Sequence, residues 1–247
     1  MLKCFNCGDE HFDDDLILIN QEHLCYNCAN HLRNMGVNEC YNLDCQQGLK
    51  LLRTESIDLI LTDPPYAVNF LDKQDALLAI GKAPDGKKRD IYKTYQEFNC
   101  DYNLLARQFY RVLKNDTHCY LFAGYQQIDD WVIAMQNAGF KFNQLLNWET
   151  GITKFDLTRG YKYLENKEQI LFFQKGWRRL EYHRNPKELF RSSFYFNSRK
   201  NNENEWHLCP RPYELLKMLI LNSSNENDLI LDCFAGSGEH LISAMKL

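Results

Sequence analysis

Residues 58–66 read Asp-Leu-Ile-Leu-Thr-Asp-Pro-Pro-Tyr. An apolar run, Ile57 to Leu61, ends in Asp63-Pro64-Pro65-Tyr66. The run predicts a buried strand. The two prolines stop it and stiffen the backbone that follows. A carboxylate and an aromatic ring are thereby set at the carboxyl end of a strand, where open α/β sheets bind their ligands. Such a pair suits a flat ring with an exocyclic amine. The ring stacks on Tyr66, and its N–H groups donate to the Asp63 carboxylate and to the carbonyl of Pro64. An adenine or cytosine taken out of a stacked helix fits that description.

A second chemical signal lies at residues 229–238, Leu-Ile-Leu-Asp-Cys-Phe-Ala-Gly-Ser-Gly. A short apolar strand runs into Asp232 and then a glycine turn. Glu239 to Leu247 follows with Leu241, Ile242 and Met245 at helical spacing. Strand, Gly-x-Gly and helix make a nucleotide-binding turn, in which Gly236 and Gly238 let the backbone approach a ligand. The third glycine of the dinucleotide fingerprint is missing, and Leu241 stands in its place. The turn therefore suits a nucleoside with an amino-acid tail better than a pyrophosphate.

Taken together, Asp232-x-Phe234-x-Gly236-Ser237-Gly238 and Asp63-Pro64-Pro65-Tyr66 resemble the amino-methyltransferases of DNA. The order, with the Asp-Pro-Pro-Tyr element first, is that of the family's permuted β class. His207 to Pro212, His-Leu-Cys-Pro-Arg-Pro, is similar to the family's His-Pro-Thr-Gln-Lys-Pro segment: His207 and Pro212 match, Arg211 replaces Lys, and the middle departs. Residues 38–45 look like the strand that ends in Gly-Asp-Cys, with Leu43 replacing Gly. The resemblance implies a Rossmann-like sheet with helices on both faces, S-adenosylmethionine as methyl donor, and double-stranded DNA as partner. It implies catalytic roles for Asp63, Pro64, Pro65 and Tyr66. It places Asp44, Arg211, Asp232, Phe234, Gly236, Ser237 and Gly238 at the cofactor. Asp at the first position of the tetrapeptide leans toward adenine over cytosine. In the family the last helix leads to another strand ending in an acid for the cofactor ribose. This sequence stops at Leu247, so the expectation is a sheet short of one edge strand, with truncation as the first explanation. A descendant that binds nucleic acid without turnover, and an enzyme acting on RNA or a protein amide, are the other readings.

The elements that must position these residues alternate as in α/β folds. The spacing predicts helices over Asn103–Leu113, Ile128–Ala138 (ended by Gly139) and Arg211–Leu221, and strands over His118–Ala123, Phe140–Trp148, Glu168–Gln174 and Leu229–Asp232. A mostly parallel sheet is expected.

The first 36 residues read as a separate unit before a domain of residues 37–247. Cys4-x-x-Cys7 and Cys25-x-x-Cys28, separated by 17 residues, have the spacing of a structural zinc site. Leu16 to Ile19 supplies hairpin strands for this ribbon, and the metal would supply much of its folding free energy.

Two basic segments are candidate DNA contacts. One carries Lys87, Lys88 and Arg89, directly after the proposed base pocket. The other, residues 177–206, carries Arg178, Arg179, Arg184, Arg191, Arg199 and Lys200 among aromatics, where the family places target recognition. The net charge of -4 opposes this mildly, although a local basic face can coexist with an acidic remainder. The 247 residues hold 45% hydrophobic residues, ten cysteines, no signal peptide and no run long enough to span a membrane. A reducing, cytoplasmic setting follows. The remaining cysteines read as small buried hydrophobes. A cognate restriction enzyme or a second copy as partner is not legible in the sequence.

Overall fold

The computed structural model describes residues 38–66, 101–150, 166–181, 191–196 and 211–247, together with the backbone of four short N-terminal strands. Those four are β1 (Leu2–Lys3), β2 (Glu10–His11), β3 (Leu16–Ile19) and β4 (Glu22–Cys25). They form two antiparallel hairpins, β1 with β2 and β3 with β4. The expected hairpin over Leu16–Ile19 is present. The zinc ligand set of Cys4, Cys7, Cys25 and Cys28 lies outside the described side chains.

The rest is a six-stranded sheet with helices on both faces. Its strands are β5 (Ile57–Thr62), β6 (Leu113–Ala123), β7 (Lys141–Glu149), β8 (Lys167–Lys175), β9 (Ser193–Tyr195) and β10 (Ile230–Leu231). The order is β10-β5-β6-β8-β7-β9. The pairs β10/β5, β5/β6 and β7/β9 are parallel. Strand β8 is antiparallel to both of its neighbours, so it alone runs against the rest.

Helices α1 (Cys45–Leu51), α2 (Tyr102–Val112), α3 (Ile128–Ala138), α4 (Tyr213–Ser223) and α5 (Glu239–Met245) complete the unit. Leu105, Phe109 and Val112 of α2 pack with Trp131 and Met135 of α3 against one face of the sheet. Leu215, Leu216, Leu219 and Ile220 of α4 cover the other. Every residue of β5 is buried. Two covered faces explain why Leu59, Ile60 and Leu61 are apolar in succession and do not alternate with polar residues. Each such Leu or Ile contributes roughly 1.5–3 kcal/mol relative to an exposed one, so burial fixes β5 as the rigid rail under the site.

Local chemistry sets the helix ends. Asp101 accepts from the Leu104 N–H at 2.9 Å and caps α2. Gly139, at φ 110°, closes α3 in the left-handed region. Helix α4 begins at Tyr213 and not at Arg211, because Pro212 holds extended backbone. The expected strand over residues 38–45 is absent. The segment is irregular until α1, and the Asp44 carboxylate accepts from the Gln46 and Gln47 N–H groups as that helix's cap.

Candidate active site

Strands β5 and β10 run side by side, with Leu231 opposite Ile60. Both key motifs therefore leave the same end of the sheet. The start of β10 is tied down by Asp58, whose carboxylate accepts from the Leu229 N–H at 3.0 Å and from Lys114 Nζ at 2.8 Å. At the other end, Thr62 Oγ1 donates to Asp232 Oδ1 at 2.6 Å and accepts from the Cys233 N–H at 3.1 Å. This stitch holds the glycine turn against the Asp-Pro-Pro-Tyr turn.

The Asp232 carboxylate, expected at the cofactor, is used internally. It also accepts from the Phe234 N–H at 3.0 Å, and its Oδ2 lies 2.6 Å from His240 Nδ1. Burial pushes this carboxyl up, but His240, Thr62 and the Phe234 amide outweigh burial and hold it below the usual value. Asp232 thus organises the turn. Phe234, Ala235, Gly236, Ser237, Glu239 and His240 line a cleft together with Asp63 and Arg211. Gly236 and Gly238 have φ of 52° and 84°. A Cβ built on Gly238 would meet nothing within 4 Å, so it is the positive φ and not crowding that favours glycine there.

Asp63 follows β5 directly and shares this cleft. Its Oδ2 receives Arg211 Nε at 2.9 Å and Nη2 at 2.7 Å. Arg211 Nη1 meets Glu168 Oε2 at 2.6 Å, and Nη2 donates to the Tyr66 hydroxyl at 2.8 Å. The Tyr66 hydroxyl in turn donates to Glu168 Oε2 at 3.2 Å. Burial pushes the Tyr66 phenol well up, against the pull of Arg211, so it stays protonated. Arg211 is 8% exposed and lies over Phe122, with 5.0 Å to the ring centroid. Its guanidinium, expected at the cofactor, is therefore committed to the acid and the ring of the tetrapeptide while lining the same cleft. Pro64 is buried, and the Pro65 carbonyl accepts from Gln127 Nε2 at 3.3 Å. The tetrapeptide is held from three elements.

Other expected residues are not brought together. Asp44 caps α1 and does not line the cleft. Arg178 and Arg179 follow β8, whose last residue, Lys175, pairs with Thr117 of β6, whereas Asp63 follows Thr62, which pairs with Leu121 further along β6. At about 3.3 Å per residue, the end of β8 and Asp63 lie about 17 Å apart along the strand direction. The Arg178 carbonyl is near His118 Nε2 at 3.1 Å, and its guanidinium reaches Glu181 at 3.5 Å. These two arginines serve the far end of the sheet. Arg191 is exposed just before β9, which adds a strand to the sheet inside the segment expected to recognise target. Lys87, Lys88, Arg89, Arg184, Arg199 and Lys200 lie outside the described residues. Cys119 is buried, Cys45 and Cys233 half-buried, and Cys40 exposed. Burial pushes the thiols of Cys119 and Cys233 well up and that of Cys45 to about 11, so none of these three is a thiolate nucleophile. Among the described residues no group of three or more His, Cys, Asp or Glu could hold a metal, and no helix is long and apolar enough to cross a membrane.

Two functional residues escaped the sequence. Glu168 opens an apolar strand 102 residues from Tyr66, and only the pairing of β8 with β6 brings it to the site. His240 stands two residues past Gly238, inside a motif whose glycines drew the attention.

The chain is 32% identical over 212 residues to the type II methyltransferase M.HpaI of Haemophilus parainfluenzae, covering 78% of this chain and 62% of that protein. It is 29% identical over 203 residues to the putative methylase YubD of Escherichia coli K12, covering 82% of this chain and 78% of the relative. Among solved structures, the PvuII DNA methyltransferase (cytosine-N4-specific) shares the fold with a TM-score of 0.61 at 15% identity, over 82% of this chain and 76% of that one. A putative DNA modification methylase of Thermus thermophilus, complexed with S-adenosyl-L-methionine, does so at 0.55 and 21%, over 82% of both chains. Residues 57–247, which carry both turns and the whole six-stranded sheet, match the N6/N4 DNA methylase profile, and the protein belongs to that DNA methylase family.

Proposed function

We propose that this chain moves a methyl group from S-adenosylmethionine to the exocyclic amine of adenine in double-stranded DNA. The observation that carries the reading is the placement of Asp63 and the open glycine turn on one cleft at the carboxyl ends of two adjacent strands. The cofactor supplies an electrophilic methyl on a sulfonium. The orphaned ring nitrogen of His240, a residue that lines the cleft, is a feature that fits such a ligand.

The protein's part is positioning and electrostatics. An adenine amine is a weak nucleophile because its lone pair is delocalised into the ring. Arg211 holds Asp63 Oδ2 from two nitrogens, and neither contact uses Oδ1. Oδ1 is then the acceptor for the amine, which with the Pro64 carbonyl favours a pyramidal nitrogen. Methyl transfer moves positive charge onto that nitrogen. Asp63 and Glu168 flank a single guanidinium, so the cluster is net negative where the charge arrives. Tyr66 supplies the face on which the extruded base stacks. No covalent enzyme intermediate is needed.

Cys4, Cys7, Cys25 and Cys28 belong to the same proposal as the four thiolate ligands of a structural zinc site. Supporting it, Cys25 ends β4, which pairs with β3 in a hairpin. Labelled methyl transfer to unmethylated DNA, followed by mass spectrometry of the nucleosides, tests the function. N6-methyladenine is expected. N4-methylcytosine would keep the reaction and overturn the base. DNA binding without transfer would favour a binding-only descendant.

A further inference from the structure

His240 is 6% exposed and lines the cleft. Its Nδ1 is anchored on Asp232 Oδ2 at 2.6 Å. Its Nε2 is buried and has no hydrogen-bond partner. A histidine that merely fills a core satisfies both nitrogens, as His118 does with Ser223 Oγ at 2.8 Å and the Arg178 carbonyl at 3.1 Å. Two other buried atoms, Gln127 Oε1 and Trp131 Nε1, also lack partners, but neither residue lines the cleft. Of the three, the orphan on His240 belongs to a residue that lines the cleft.

We propose that His240 Nε2 grips the amino-acid end of S-adenosylmethionine, with Asp232 holding the ring from behind. The inference rests on the function proposed above and names a contact within it. Asp63 must lie beside the methyl, and His240 shares its small cleft, so His240 faces the groups next to the sulfonium. Those are the ribose on one side and the amino-acid chain on the other. Apart from Phe234, Ala235 and Gly236, the lining is polar or charged: Asp63, Arg211, Ser237, Glu239 and His240. A zwitterion matches that wall, whereas a flat adenine needs an apolar slot. Asp232 is an acceptor, which assigns the Nδ1 proton to the ring. With that tautomer, Nε2 is the acceptor for the ligand ammonium.

The test is calorimetric binding of S-adenosylhomocysteine and of 5′-methylthioadenosine, which lacks the amino-acid tail. His240→Asn keeps a donor near the Nδ1 position for Asp232 but has no atom at Nε2. It should bind S-adenosylhomocysteine about tenfold more weakly than the unaltered chain, as expected for one lost hydrogen bond to a charged group. Methylthioadenosine affinity should stay within about twofold. His240→Gln, which returns an amide near the Nε2 position, should recover part of the loss. Equal losses for the two ligands, or no loss for S-adenosylhomocysteine, would overturn the contact. Failure of the unaltered chain to bind S-adenosylhomocysteine would instead overturn the function beneath it.

Discussion

At the scale of single residues, the site depends on one shared guanidinium. Arg211 bonds Asp63, Glu168 and Tyr66 from a position that is 8% exposed. Removing the Asp63 carboxylate leaves the guanidinium with one carboxylate, Glu168, and the Tyr66 hydroxyl among these three partners. Asp63→Ala should therefore lower methyl transfer by about 10²–10³-fold, the scale of losing an aligned electrostatic partner in the transition state. It should leave S-adenosylhomocysteine affinity nearly unchanged, because Asp232 and the glycine turn are held by Thr62 and not by Asp63. It should also cost about 1–3 kcal/mol of stability for the part-desolvated charge left behind. Single-turnover kinetics, calorimetry and thermal melting read the three effects. A parallel loss of transfer and cofactor affinity would remove Asp63 from the base pocket. The types and spacing of Asp63 and Tyr66 made them legible in the sequence. Glu168 was not, because nothing local distinguishes an acid at a strand's first turn from a solvated one.

At the scale of elements, His118 shows how β6 is fastened to the helix on one face. Its ring lies between Ser223, at the end of α4, and the backbone after β8. Burial pushes the imidazole down from 6.5 to about 4. Between those values the unfolded chain binds a proton that the folded protein refuses, so stability falls as pH falls. The contribution is complete above about pH 6.5 and is lost toward about pH 4, reaching about 3 kcal/mol. His118→Asn cannot titrate. Its stability deficit against the unaltered chain, measured by denaturant unfolding, should shrink by about 2 kcal/mol between about pH 7 and pH 5. An unchanged deficit would show that the ring is not held neutral. Element existence was largely readable. Helix α3 has the bounds its spacing and Gly139 predicted, and β5 is extended only by Thr62. Direction was not readable, since an apolar strand such as β8 carries no mark of which way its neighbours run. The strand expected before α1 failed because Asp44 turned its carboxylate to the helix's own amides.

At the scale of the whole molecule, the sheet and the N-terminal hairpins differ in what can stabilise them. The sheet of residues 57–247 rests on buried apolar residues contributed by both helical layers. The N-terminal strands are two to four residues long, and hairpins of that size are marginal in water without further support. Under the zinc proposal the metal would supply that support, because a four-thiolate site couples metal binding to folding. Loss of the metal should therefore divide the molecule energetically. Chelation is expected to release about one zinc per chain and to change the far-ultraviolet circular dichroism by an amount fitting a few short strands. The main melting transition should stay in place, because no metal-binding group occurs among the described residues of the sheet and its helices. An unchanged spectrum together with no released zinc would remove the metal site. A collapse of the main transition would mean that the cysteine segment carries stability for the catalytic sheet, which burial alone does not lead one to expect.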